Sequence, residues 1–134
     1  MKNIEIFDLD KKSDERGWLI EVLGGELPKD CKEFGQLHVS VAYPGKVRGN
    51  HYHTRKVEWF CVPAGQGLLL LKDQETGETQ EVIMGVNNLK TIKIQPGTIH
   101  AIKNIGEDDM VLIVYANESF DPEDPDTYYE QILE

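Results

Sequence analysis

The sequence has only two cysteines, Cys31 and Cys61, and they share no metal-type spacing, which excludes a disulfide scaffold and a cysteine-built metal cluster. Cys61 sits in the apolar run Trp59-Phe60-Cys61-Val62 and reads as a buried small hydrophobe, with one Cys31–Cys61 disulfide as the alternative. Positive charge is scarce. Fourteen Lys and Arg stand against 24 Asp and Glu, a net charge of −10, so nonspecific binding to nucleic acid or to an anionic membrane surface is not expected. No apolar run approaches the roughly 20 residues of a membrane helix. The opening residues Met1 to Asp8 are acidic and alternating, which suits a first strand and not a leader, and the cytoplasm is the expected location. Linkers, repeats and low-complexity tracts are lacking, as is any long 3.6-residue apolar period with caps. One short helical turn is expected within residues 125–133.

What is present is short, strand-like and regularly punctuated. Hydrophobic residues make up 40% of the chain, enough for one globular core at this length. Leu37 to Ala42 alternates with period two and stops at Pro44-Gly45; Val57 to Val62 stops at Pro63-Ala64-Gly65. Leu68 to Leu71 leads into a polar hairpin tip, Leu89 to Ile94 stops at Pro96-Gly97, and His100 to Ile105 pairs with Met110 to Tyr115 across an acidic turn. Many short strands and no long helix predict an all-β sandwich or barrel of one domain over residues 1–134. Residues 1–36 supply N-terminal strands, 37–118 the barrel and 119–134 a tail.

Three of the four histidines fall in a pattern. His51 and His53 are two apart, so on an extended strand both rings share a face. Glu58 follows a polar interruption, Thr54-Arg55-Lys56-Val57, and shares its strand face with Phe60 and Val62. A carboxylate on that apolar face is costly unless paired or bound to a metal. His100 follows the Pro96-Gly97 turn and shares a face with Ile102 and Asn104. Three imidazoles and a carboxylate suit a divalent transition metal, with zinc the first expectation and iron, nickel or manganese fitting the same donors. His38 alternates with Ser40 and Ala42 and reads as a wall histidine, not a ligand; Trp18 and Trp59 read as core or dimer-interface residues.

These residues resemble the cupin superfamily. Gly45, five residues, His51-Tyr52-His53, four residues, Glu58, six residues and Gly65 reproduce the first cupin motif. Pro96-Gly97, two residues, His100, three residues and Asn104 are similar to the second, with the proline one position nearer the glycine than usual. The resemblance implies a double-stranded β-helix, the jelly-roll barrel of cupins, with His51, His53, Glu58 and His100 as metal ligands. Cupins often pair strands across a two-fold axis, so a homodimer is expected.

A narrower resemblance concerns nucleotide-sugar enzymes. Ser13-Asp14-Glu15-Arg16-Gly17-Trp18 and Val47-Arg48-Gly49-Asn50-His51 are similar to segments of RmlC-like epimerases and of sugar 3,4-ketoisomerases. The segment at residues 48–53 and the tail at residues 120–128 resemble the C-terminal cupin domain of CapF-type capsular polysaccharide enzymes, which carry a reductase domain ahead of it. This implies an epimerase or isomerase acting on a nucleotide-linked 4-keto-6-deoxy sugar in surface polysaccharide biosynthesis. Arg16 and Arg48 would bind the diphosphate, and His51 would be the catalytic base. A ligated His51 has no free lone pair, so it is ligand or base and not both. The tyrosine acid of the epimerases falls at Ser119 and Phe120, leaving Tyr43, Tyr52, Tyr115 and Tyr128 as substitutes. The alternatives are a non-catalytic sugar- or metal-binding module partnering a separate reductase, and an iron-dependent dioxygenase.

Overall fold

The computed structural model describes residues 1–24 and 34–134, and none of them is helical. The strands run in the order β1 (Ile4–Asp8), β2 (Lys12–Asp14), β3 (Gly17–Leu19), β4 (Gln36–Ala42), β5 (Val47–Tyr52), β6 (Glu58–Ala64), β7 (Gln66–Asp73), β8 (Thr79–Gly85), β9 (Lys90–Ile94), β10 (Thr98–Asn104), β11 (Met110–Ala116) and β12 (Tyr128–Tyr129). Two five-stranded antiparallel sheets, ordered β1-β9-β6-β11-β4 and β12-β5-β10-β7-β8, face each other, and β2 and β3 form a separate hairpin.

From β4 onward consecutive strands alternate between the two sheets, except for the β7–β8 hairpin, and the inward face of each sheet packs against the other. Phe60 and Val62 of β6, Leu69 and Leu71 of β7, Ile92 and Ile94 of β9, and Leu112 and Val114 of β11 meet in one buried cluster. Each such side chain contributes about 1.5–3 kcal/mol on burial. The alternation Gly67, Leu69, Leu71, Asp73 in β7 is buried throughout, while Leu68 and Leu70 are half-exposed. On the outer side of β6, Trp59 packs with Val57 and Tyr115 in a second, smaller cluster. Trp18, in contrast, is exposed on the β2–β3 hairpin. Cys61 is a buried free thiol whose pKa burial pushes up to about 11; Cys31, and with it the disulfide alternative, lies outside the described residues.

Two stretches differ from expectation. The short helical turn anticipated at residues 125–133 is replaced by β12, which pairs Tyr128 with Tyr52 and Tyr129 with His51. Asp126 takes a left-handed backbone (φ 47°), which interrupts a right-handed turn. The amides of Glu130, Ile132 and Leu133 bond to Asn50 instead of closing a helix. Strand β8 had no clear signature because Thr79, Gln80 and Glu81 are polar, and only Val82 and Met84 turn inward to be buried.

Candidate metal centre and ligand cavity

The site starts from an irregularity in β5. Its register with β10 runs Arg48 opposite Ile102 and Gly49 opposite Ala101, then jumps to His51 opposite His100. Asn50 is the extra residue of a β-bulge, with Gly49 at φ 98° and Asn50 at φ 59°. A Cβ on Gly49 would lie 2.7 Å from the His100 carbonyl oxygen, so the close approach of β5 to β10 requires glycine. The bulge has a consequence for chemistry. Arg48 and His51 are three apart in sequence, yet they oppose Ile102 and His100, which are two apart, so both face the barrel interior.

Strand β6 begins at Glu58, which is buried, and β10 carries His100, which is buried almost completely. The donor atoms of His51, His53, Glu58 and His100 all lie within 4.8 Å of one another. His53 Nε2 is 2.9 Å and His100 Nε2 3.2 Å from the same oxygen, Glu58 Oε1. The opposite nitrogens are anchored on backbone: His53 Nδ1 donates to the Asp126 carbonyl at 2.7 Å and His100 Nδ1 to the Thr98 carbonyl at 3.1 Å. With the protons on Nδ1, both Nε2 lone pairs are aimed at one carboxylate oxygen. His100 Nε2 is buried without a hydrogen-bond partner among the described residues. A proton on His53 relieves one of these contacts. A divalent cation relieves both and has room for His51, so the donor set and its backbone anchors fit a metal.

The electrostatics divide the three rings. Burial, followed by repulsion from His100 and His53, lowers the His51 pKa to about 3, so its ring is neutral near pH 7. Burial also opposes charge on His53, but the hydrogen bond and charge of Glu58 and the Asp126 carbonyl outweigh it and raise its pKa. Burial would raise the pKa of Glu58; the facing imidazoles of His100 and His53 more than offset it and hold the carboxylate ionised. The His51 ring differs from the other two in making no hydrogen bond among the described residues, only ring contacts to His53, His100 and Tyr129.

Above this floor opens a cavity of about 470 Å³, within the range of small-ligand sites. Arg48 lines it and donates to the Val41 carbonyl at 3.2 Å; Gln36, His38 and Ser40 of β4 form the facing wall, as expected of a wall histidine. Arg16 is elsewhere: it lies in the β2–β3 turn, exposed, paired with Asp14 at 2.6 Å, and is not part of the cavity lining.

Two lining residues were not anticipated. Lys56 is 6% exposed, its Nζ donates to the Pro125 carbonyl at 3.2 Å and lies 5.3 Å from the centre of the Phe120 ring. It stands in the polar interruption between His53 and Glu58, where a lysine reads as solvated surface. Tyr129 is the other. Tyr52 and Tyr128 stack on each other, Tyr43 is exposed beyond β4, and the Tyr115 hydroxyl accepts from the Gly35 amide. Among the five tyrosines only Tyr129 lines the cavity, its ring 6.0 Å from His51. Phe120 lines the cavity too, while the Ser119 hydroxyl donates to the Gly35 carbonyl. Nothing in the sequence gives the β12–β5 register that selects Tyr129 over Tyr128.

Comparison with known proteins agrees with this architecture. The profile of the polysaccharide biosynthesis C-terminal domain matches residues 12–128. The chain is 37% identical over 122 residues to the UDP-2-acetamido-2,6-beta-L-arabino-hexul-4-ose reductase of Pseudomonas aeruginosa, covering 91% of this chain and 31% of that protein. It is 30% identical to the probable low-salt glycan biosynthesis epimerase Agl13 of Haloferax volcanii, covering 92% and 83%. The crystal structure of the capsular polysaccharide assembling protein CapF from Staphylococcus aureus superposes with a TM-score of 0.72 at 34% identity, over 92% of this chain and 34% of CapF. The dTDP-6-deoxy-D-glucose-3,5-epimerase RmlC of Legionella pneumophila, at 21% identity, a TM-score of 0.84 and coverage of 99% and 75%, is alike in fold. The chain thus spans about a third of the length of the reductase and of CapF. It belongs to the polysaccharide biosynthesis C-terminal domain family, with the double-stranded β-helix of RmlC-like cupins.

Proposed function

We propose that the chain is a metal-containing cupin that epimerises or isomerises a nucleotide-linked 4-keto-6-deoxy sugar for surface polysaccharide. The observation that carries this reading is the composition of one cavity: a His51, His53, Glu58 and His100 floor under walls bearing Arg48, Lys56 and Tyr129. The family match and the named activity of Agl13 support it. A bound divalent ion, zinc first, would polarise the ketone oxygen.

The remaining chemistry belongs to the side chains. A 4-keto group acidifies the hydrogen on the neighbouring carbon. When a base removes that proton, the C–H pair becomes a C=C bond and the carbonyl π pair moves to oxygen, where the Lys56 ammonium offers a charge-assisted hydrogen bond. A proton relayed through water from the Tyr129 hydroxyl to the opposite face restores the ketone with the centre inverted. The proton held on the base returns through water to the phenolate, which resets both groups. His51, neutral and without an anchor, is the base if it stays off the metal. Arg48 holds the diphosphate. Arg16, on its exposed hairpin, joins it from the second protomer of a homodimer, which also covers Leu37, Val39 and Val41 on the exposed edge strand β4. Sedimentation as a monomer at micromolar concentration would count against that assembly. The reading places the protein in the cytoplasm.

A second reading has its own support. The chain matches one third of a reductase, so it also suits a sugar-binding module working beside a separate reductase. Proton NMR of a UDP- or dTDP-linked 4-keto-6-deoxy hexose in heavy water separates the two. Deuterium entering the carbon beside the ketone establishes turnover; tight binding with no exchange establishes the module.

A further inference from the structure

We propose that Asp126 is the positioning residue of the metal-ligand set: it fixes the ring of His53 and the connection from His53 to Glu58, so the C-terminal segment sets the affinity of the site for a divalent cation. The proposal deepens the metal reading and rests on it for the affinity, though not for the ring.

Asp126 is 3% exposed and makes two kinds of contact. Its carboxylate accepts the consecutive backbone amides of Thr54, Arg55 and Lys56, at 3.0, 2.8 and 3.2 Å, and also the Thr54 hydroxyl. Three successive amides around one anion form a nest, which compensates a buried carboxylate without a paired cation. Those three residues belong to the four-residue interval separating the ligands His53 and Glu58. The fourth, Val57, is held by Asn117, whose side-chain oxygen accepts its amide. The interruption is therefore fixed from outside the strand.

The second contact is the Asp126 carbonyl, which accepts from His53 Nδ1. The left-handed backbone at Asp126 serves both contacts at once, and aspartate tolerates it better than most residues. The two anchored rings contrast here. His100 leans on Thr98, two residues away on its own strand, whereas His53 leans on a residue 73 positions distant. The proton position of His53, and the aim of its Nε2, thus depend on the tail being seated. Lys56 Nζ on the Pro125 carbonyl and the Arg55 guanidinium on Asp124 hold the flanking residues of the tail.

The test measures Zn2+ affinity against a chromophoric chelator for the wild type, Asp126→Asn and Thr54→Val, beside 15N–1H spectra of the imidazoles in the same metal-free proteins. Asparagine keeps the left-handed backbone accessible but loses the acceptor oxygen for Arg55 and Lys56. The expected result is roughly 10–100-fold weaker zinc binding in Asp126→Asn, the range for a group that orients a ligand, with loss of the slowly exchanging His53 Nδ1 proton. Thr54→Val, which removes only the hydroxyl contact, should weaken binding about fivefold. A folded Asp126→Asn with wild-type zinc affinity and an intact Nδ1 proton overturns the proposal, even if its melting temperature falls, because the role is then only structural. Should that variant fail to fold, Thr54→Val with unchanged affinity and spectrum overturns it. A wild type that binds no zinc removes the metal reading, while the Nδ1 proton of the metal-free variants still decides whether Asp126 orients His53.

Discussion

The floor of the cavity and its mouth are built differently. At the floor, His53, Glu58 and His100 are buried, and each histidine ring is tied to a backbone carbonyl. At the mouth, Arg48, His51 and Tyr129 are partly or largely exposed, Tyr129 to 80%, and the His51 ring has no hydrogen bond among the described residues. A preorganised floor suits holding an ion, which demands fixed donors at fixed distances. A looser mouth suits admitting a substrate and moving protons, since groups there must meet a ligand and exchange with water. His51 is the hinge between the two, a member of the donor cluster by distance and of the mouth by its lack of an anchor.

The sharpest way to break this contrast is to remove one of the clustered donors of the floor. His100→Ala should abolish near-stoichiometric metal in elemental analysis of untagged protein; retained metal would separate the cluster from ion binding altogether. Next is Tyr129→Phe at the mouth, expected to slow hydrogen exchange into the keto sugar by about 10²–10⁴-fold with metal content unchanged. A variant that loses metal as well would merge the two regions. Arg48→Ala, also at the mouth, should weaken nucleotide-sugar binding by calorimetry about tenfold or more, the loss of one charge-assisted hydrogen bond, again with metal retained. Gly49→Ala probes the bulge joining the regions and should cost about 1–3 kcal/mol in thermal unfolding, since the new Cβ meets the His100 carbonyl at positive φ.

The smallest effect concerns acid stability. Burial opposes the ionised Asp126, but the Thr54 hydroxyl and the amides of Arg55, Thr54 and Lys56 outweigh it and lower its pKa to about 2 from an ordinary 3.8. A depressed carboxylate stabilises the fold above its unfolded pKa. About 2 kcal/mol should therefore be lost as pH falls from near 4 through 2, and acid titration of Asp126→Asn should lack that step.

The floor was legible in the sequence because its spacing is local. Two histidines at i and i+2, a carboxylate on an apolar strand face and a histidine after a Pro-Gly turn each reveal their direction through period-two alternation. The mouth was not, for two physical reasons. A bulge shifts the phase of alternation, and Gly49-Asn50 carries no hydrophobic signal to reveal it. The tail's register against β5 is fixed by the Asn50 side-chain oxygen, which accepts the amides of Ile132 and Leu133 more than 80 positions away, a contact no short-range pattern encodes. Lys56 went unread for a related reason: a lysine between polar neighbours looks solvated unless the covering Pro125 and Phe120 are known.

The bulge in β5 also limits how this barrel tolerates changes of length. Deleting Asn50 would leave Arg48 and His51 two apart on a regular strand, still on one face, at the loss of the side chain that accepts the Ile132 and Leu133 amides. Deleting a residue elsewhere in β5 would reverse the inward face on one side of the gap. A substitution in β5 outside the bulge is graded in its effect; a one-residue deletion outside the bulge is a frame error in three dimensions. Libraries built on this scaffold can therefore vary side chains along the strand outside Gly49, but must confine any change of its length to the bulge.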